Sequence, residues 1–341
     1  MTTAIERNTA AEPDARGIWQ LGIAFFSRKT ILTAAEMGVF TLCAQRTWTG
    51  DELRQRLELH PRGARDFLDA LVALGMLERD GGGYRSSAVA AQFLDPEQPS
   101  YLGRFLRMAD ARWDRLAEGL RTGEPQNGTR HSAAMFTEQY RDTGTWRMYM
   151  VGMDYLNAPL AARLAERFDW STVESFVDVG GARGNIAARL VKAHPHLRGA
   201  VFDLPPVREV FDEHMAQQGL SGKLTFHQGD FFNDPLPAAD VLMFGHVLHD
   251  WPEAERRTLV ARAGQALRPG GTLLIYDPMI DDDRREKASS LLVSLNMLLA
   301  TPGGSEYTTA ECGQWLSAAG FADVRSVALD DHDTLVVARK S

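Results

Sequence analysis

Residues 176–184 read Phe176-Val177-Asp178-Val179-Gly180-Gly181-Ala182-Arg183-Gly184, and no other stretch restricts the fold as much. A β-rich apolar run stops at paired glycines, and a helical pattern follows with Ile186, Ala187, Leu190 and Val191. A strand ending in glycines that lead into a helix opens a nucleotide-binding α/β unit. Glycine permits the sharp turn and lets a ligand approach the backbone closely. The next apolar run, Ala200-Val201-Phe202, ends at Asp203, placed where such folds hold a ribose hydroxyl pair. The glycine spacing is not the Gly-x-Gly-x-x-Gly of dinucleotide binders, which argues against a nicotinamide dehydrogenase. Asp178 just before the loop suits a ligand carrying positive charge.

Apolar and helical patterns alternate beyond residue 160. Strands are expected at 175–179, 199–203, 223–227, 240–244 and 272–277, with helices between them such as 253–267. This alternation predicts a parallel sheet covered on both faces, with ligands beyond the carboxyl ends of its strands. Val324–Leu329 and Thr334–Ala338 read as a closing hairpin around the acidic turn Asp330, Asp331, His332, Asp333. The fold class expected is therefore α/β: a Rossmann-like sheet, parallel with a C-terminal antiparallel hairpin.

An α-helical winged-helix module is expected to precede the sheet. Residues 17–44 are too apolar for a solvated helix, so part of them should be buried in the domain or against another chain. Thr49 and Glu52 have capping-box spacing, Arg62–Leu74 is a second helix, and residues 76–85 read as a β-hairpin around Gly81, Gly82 and Gly83. Such a shape can read DNA. The stretch 62–80, however, carries three positive charges (Arg62, Arg65, Arg79) against four negative ones (Asp66, Asp69, Glu78, Asp80). A recognition helix should be net basic, so a structural or dimerising role is favoured. The formal net charge of −8 also argues against a nucleic-acid partner. The two cysteines, Cys43 and Cys312, make neither a disulfide framework nor a zinc set. With no signal-peptide pattern and no apolar run of spanning length, a cytoplasmic protein without a membrane partner is expected. The expected divisions are a disordered start at 1–16, the winged-helix domain at 17–100, a helical connector at 101–160 and the cofactor domain at 161–341.

The chemistry-bearing residues gather at expected strand ends. Gly229, Asp230 and Phe231 follow the third strand, where an aspartate and an aromatic ring could hold an adenine. The fourth runs into Gly245-His246-Val247-Leu248-His249-Asp250-Trp251. His249 is the candidate general base, since imidazole titrates near neutrality. Asp277, ending the fifth strand, could orient it, and Glu306 on a later loop offers a second carboxylate. His246, His249 and Asp250 form no specific metal-ligand pattern, so no metal is expected. In the connector, Trp113, Phe136, Met150 and Met153 could line a pocket for a flat apolar substrate, with Asp154 and, far beyond the connector, Asn296 as polar candidates.

Taken together these strings resemble the class I S-adenosylmethionine-dependent methyltransferases, and within them the small-molecule O-methyltransferases of the plant caffeate and bacterial polyketide type. The similarity covers almost the whole chain. It implies S-adenosylmethionine as cofactor, held by Asp178, Gly180, Gly181, Asp203, Leu204, Gly229, Asp230, Phe231, Gly245, His246 and Trp251. It implies His249 as base with Asp277 and the carboxylate of the Thr301–Thr308 loop, Glu306, beside it. It also implies a homodimer through the N-terminal domain and a small aromatic acceptor of natural-product metabolism. Plant members carry glutamate where this chain has Asp277, so a longer or water-mediated contact with His249 is expected. They carry lysine where Gly245 stands, so a cofactor contact there would be through backbone. Some relatives methylate carbon or nitrogen, which leaves a C-methyltransferase as the alternative.

Overall fold

The computed structural model describes residues 15–126 and 143–341. The chain divides into two compact units, Met1–Arg107 and Met108–Ser341. Of the sequence expectations, Phe136 and nearly all of the 1–16 segment lie outside the described residues.

In the first unit the apolar 17–44 stretch forms two helices, α1 (Arg16–Glu36) and α2 (Val39–Gln45), separated at Gly38. Helix α3 (Gly50–Arg56) starts with the expected capping box between Thr49 and Glu52. Helix α4 (Pro61–Ala73) begins on a proline, whose fixed φ and missing N–H suit a first helical turn. Strands β1 (Leu77–Asp80) and β2 (Gly83–Ser86) form the hairpin, followed by α5 (Ala88–Phe93). Phe40, Leu53, Leu68, Leu71, Leu77 and Tyr84 form its core. Helix α1 joins this core only near its C-terminal end, through Ala34 and Ala35, with Ile31 packed against it. Its first turns leave Ile18, Trp19, Leu21, Phe25 and Phe26 exposed within the chain, Trp19 by 67%.

After α6 (Gly103–Met108), the second unit opens with short helices α7 (Asp110–Trp113) and α8 (Leu116–Thr122). Among the described residues α9 (Thr143–Leu156) and α10 (Ala158–Arg167) come next. The α/β succession then runs β3 (Ser175–Val179), α11 (Asn185–Ala193), β4 (Arg198–Asp203), α12 (Arg208–Gln217), β5 (Leu224–Gln228), β6 (Val241–Gly245), α13 (Glu253–Ala266) and β7 (Thr272–Asp277). Helices α14 (Ala288–Ala300) and α15 (Thr309–Ala318) precede the hairpin β8 (Phe321–Ala328) and β9 (Thr334–Lys340).

The seven strands lie in the order β5-β4-β3-β6-β7-β9-β8. The first five are parallel, while β9 runs antiparallel to β7 and β8 antiparallel to β9. Successive side chains feed opposite faces, as a pleated strand requires. Phe176, Val201, Met243 and Leu274 join one core, and Val177, Phe202, Leu242 and Ile275 the other. Burial on both sides is why these strands read as unbroken apolar runs. The strand order reverses between β3 and β6, so the loops leaving their carboxyl ends open a crevice there. Among the described residues no helix is long and apolar enough to cross a membrane.

Candidate active site

The glycine loop after β3 forms one wall of the crevice. Gly180 has φ of +74°, and a Cβ on it would stand 2.7 Å from Val247 Cγ2 and 3.8 Å from the Phe231 ring. The position therefore needs glycine both for its backbone and for its neighbours, and the contacts bring the first, third and fourth strand ends together. Asp178 is only 2% exposed, and its Oδ2 has no hydrogen-bond partner among the described residues. Burial, with the Asp203 charge adding to it, pushes its carboxyl up to about 7. Asp203, also buried, accepts from the backbone N–H of Leu204 (2.7 Å) and of Ala182 (2.8 Å), tying the tip of β4 to the glycine loop. Its carboxyl is raised to about 6 by burial against these two bonds. Gly229 N–H donates to the Asp203 carbonyl (2.9 Å).

Asp230 organises the turn after β5, accepting from Phe232 N–H (2.9 Å) and Asn233 Nδ2 (2.7 Å). Phe231 and Phe232 both meet Trp251 edge to face, at 5.8 and 4.6 Å between ring centres. Trp251 thus sits inside an aromatic cluster, only 8% exposed. Gly245 leaves room for Tyr276, whose ring lies 1.9 Å from where a Cβ would stand. A lysine there would need Tyr276 to move.

The opposite wall carries the imidazoles. A short 3₁₀ turn, Leu248–Asp250, presents His249, which is 8% exposed. Its Nδ1 lies 2.7 Å from Glu306 Oε1 and 3.8 Å from Asp277 Oδ1. The direct hydrogen bond therefore belongs to Glu306. Asp277 is fully buried, and its Oδ2 accepts instead from the Tyr307 hydroxyl at 2.5 Å. The sequence gives Asp277 the orienting role. In the structure its short side chain stops outside hydrogen-bonding distance of the ring, and Glu306 reaches it. Burial raises Glu306 to about 8, Asp277 to about 6 and Asp250 to about 6.

His246, in left-handed backbone at φ +52°, stacks at 5.7 Å beside His249. Its Nε2 hydrogen-bonds Asp333 Oδ1 at 2.7 Å. Burial opposes its charge, but the Asp333 bond and charge prevail and lift it to about 9. The side chain expected on the cofactor is thus engaged by the acidic turn between β8 and β9.

Two contacts tie α14 to its neighbours. Trp113 Nε1 donates to Asn296 Oδ1 at 3.2 Å, joining α7 to α14. Glu306 N–H donates to Ser294 Oγ at 3.0 Å, joining the same helix to the His249 partner. Two expected pocket residues have partners within the fold. Met150 is buried in the core with Leu160 and Trp170. Asp154 pairs with Arg183 of the glycine loop, and its backbone carbonyl accepts from Asn185 Nδ2 (3.1 Å). Met153 is partly buried on α9.

With this geometry in place, comparison with known proteins is decisive. Residues 113–322 match the model of the O-methyltransferase domain, and residues 19–96 that of the O-methyltransferase dimerisation domain. The chain belongs to the O-methyltransferase family. It is 50% identical to the tetracenomycin polyketide synthesis 8-O-methyl transferase TcmO of Streptomyces glaucescens, over 95% of this chain and 96% of that one. It is 40% identical to the N,N-dimethyltransferase OxyT of Streptomyces rimosus, over 96% of each. It is 37% identical to a 3-hydroxy-5-methyl-1-naphthoate 3-O-methyltransferase of Streptomyces sahachiroi, over 92% of this chain and 89% of that one. Human N-acetylserotonin methyltransferase, solved with S-adenosylmethionine, superposes with a TM-score of 0.84 at 28% identity, covering 98% and 99% of the two chains. The protein is an S-adenosylmethionine-dependent O-methyltransferase.

The crevice fits that cofactor. A buried carboxylate oxygen without a donor at Asp178, beside a glycine that has no room for a side chain, suits a cationic, donor-bearing ligand. The residues missed in the sequence are the methyltransferase's braces. Arg256, 3% exposed, donates from Nε to the carbonyls of Leu248 (3.0 Å) and Trp251 (2.6 Å), and from Nη2 to the Ser305 carbonyl (2.6 Å) and hydroxyl (2.9 Å). It clamps the His249 turn to the Glu306 loop. Ser305 N–H donates to the His249 carbonyl at 2.9 Å, an approach so close that a Cβ on Gly304 would lie 2.5 Å from that oxygen. An arginine at 256 in step with Leu259, Val260 and Ala263 on the apolar stripe of α13 is the signal that could have exposed it.

Proposed function

We propose that this enzyme methylates a phenolic hydroxyl of a small aromatic natural-product intermediate, with His249 as general base. The observation that carries the reading is the 2.7 Å contact between His249 Nδ1 and Glu306 Oε1. In its ionised form Glu306 accepts from Nδ1–H, which leaves Nε2 bare and ready to take a proton. A phenol has a pKa near about 10, so little phenolate exists at neutrality and a positioned base contributes about 10²–10⁴-fold. Glu306 then faces the imidazolium that forms, and Asp277, 3.8 Å away, adds to its stabilisation without touching it.

S-adenosylmethionine supplies a methyl group on a positively charged sulfur. Asp178 and the Gly180–Gly181 backbone would receive its amino-acid end, Asp203 its ribose, and Asp230, Phe231 and Trp251 the neighbourhood of its adenine. Arg183, held by Asp154, fixes the glycine loop. Names of relatives support the acceptor class, since TcmO and the naphthoate enzyme both act on oxygen. The exposed apolar start of α1, within a matched dimerisation domain, supports a homodimer through the N-terminal half.

Methyl-labelled S-adenosylmethionine and a panel of hydroxylated aromatic acids test the reading. An O-methyl ether should form, and His249→Ala should lower turnover by at least about 100-fold while cofactor affinity holds. A carbon- or nitrogen-methylated product, or undiminished turnover in the variant, would refute it.

A further inference from the structure

Arg112 is a cation without an assigned task. It lies on α7, partly buried, directly before Trp113. Its Nε is buried and finds no hydrogen-bond partner among the described residues, and no described carboxylate offsets the guanidinium. Burial works against its charge. A partly buried cation with a stranded N–H is stabilised by an anion that reaches it.

Its place in the second unit says what that anion belongs to. The Trp113–Asn296 bond fixes α7 on α14, and α14 also packs against the His249 turn and holds Glu306 through Ser294. Tyr149 on α9 stands in the field of both Arg112 and Asp250, the neighbour of His249. The acceptor side therefore has two electrical ends. The carboxyl groups of Asp250 and Asp277 lie 4.0 and 3.8 Å from the base, and a guanidinium lies on the α7 side. An acceptor with an acidic group is repelled from the first end and drawn to the second, which points its hydroxyl toward His249.

We infer that Arg112 is the subsite for a carboxylate on the acceptor, so that the enzyme selects hydroxylated aromatic acids over their neutral analogues. The inference rests on the aromatic-acceptor reading above and narrows it. A guanidinium can meet a carboxylate with two parallel N–H···O bonds, which fixes orientation as well as affinity.

The test separates binding from turnover. Enzyme loaded with S-adenosylhomocysteine is titrated calorimetrically with 3-hydroxy-1-naphthoate and with its carboxamide. Wild type should bind the acid at least about tenfold more tightly. Arg112→Met should erase that preference, leaving carboxamide affinity within about twofold and S-adenosylhomocysteine affinity unchanged. Arg112→Lys, which keeps the charge, should retain a several-fold preference and covers the case of a methionine variant that does not fold. In turnover, KM for the acid should move and kcat should not. Equal wild-type affinity for the two probes, absent binding of both included, overturns the inference, as does a preference surviving in Arg112→Met or lost in Arg112→Lys. Acid-selective binding through Arg112 without an O-methyl product would sink the hydroxyl-transfer reading and leave the subsite standing.

Discussion

Arg256 Nη2 donates to both the carbonyl and the hydroxyl of Ser305, at 2.6 and 2.9 Å, from a helix that precedes Ser305 by 49 residues. The same guanidinium lies over the rings of Tyr307 and Trp315, at 4.9 and 5.6 Å. The distance between His249 and Glu306 is therefore set by an arginine that touches neither side chain.

Arg256→Gln should loosen that clamp. Leaving the buried carbonyls of Leu248, Trp251 and Ser305 without their donor costs at least about 1–3 kcal/mol, and a lower urea midpoint reports it. Turnover should fall with it. A variant as stable and as fast as wild type would show the clamp to be ornamental.

Glu306→Gln and Asp277→Asn should separate the two carboxylates. The first removes the acceptor that selects the useful tautomer and should cost at least about 100-fold in kcat. The second removes a charge 3.8 Å away and should cost no more than about tenfold. Comparable losses would return Asp277 to the orienting role. Because burial holds Glu306 near 8, the carboxylate under Nδ1–H becomes populated as pH rises, so kcat should climb through about pH 8.

Cofactor affinity should also depend on pH, with a sign fixed by Asp178. Its carboxyl is raised to about 7, so it is mostly protonated at pH 6 and mostly ionised at pH 8. A cationic ligand prefers the ionised form. Affinity for S-adenosylmethionine should thus rise by about tenfold between those values, with proton release visible by calorimetry in buffers of different ionisation enthalpy. Asp178→Asn should bind more weakly and flatten that dependence. A steep dependence persisting in the variant would assign it to another group.

The exposed start of α1 predicts assembly. Wild type should scatter light as a dimer at micromolar concentration, and Trp19→Asp with Phe26→Asp should give a folded monomer. Those side chains are 67% and 52% exposed in the isolated chain, so the charges cost the fold little. A wild-type monomer would leave the apolar patch without its expected partner.

Much of this architecture was readable from the residues. Strands buried on both faces leave unbroken apolar runs, so β3, β6 and β7 lie within a residue of expectation. Asp203 was legible because its position depends on strand register alone. The Glu306 contact was not ranked above Asp277, because the outcome turns on one methylene and on how closely the Gly304 backbone approaches the His249 carbonyl. The His246–Asp333 bond joins residues 87 positions apart and exists only because β9 runs antiparallel beside β7. No local pattern carries that information. Helix α1 was read as apolar correctly, but periodicity does not say whether a partner lies within the chain.

The reversal of strand order between β3 and β6 has a consequence for divergence. The seat proposed for the methyl donor is built almost entirely on β3, β4 and β5, whereas the proton-handling groups hang from β6, β7 and the loop braced by Arg256. The side-chain hydrogen bonds of Asp203 and of His249 have no residue in common. A lineage can retain its donor while exchanging what receives the methyl, and relatives named for oxygen and for nitrogen chemistry share most of this chain's length. The scaffold is in that sense two heirlooms on one sheet, one kept and one open to revision.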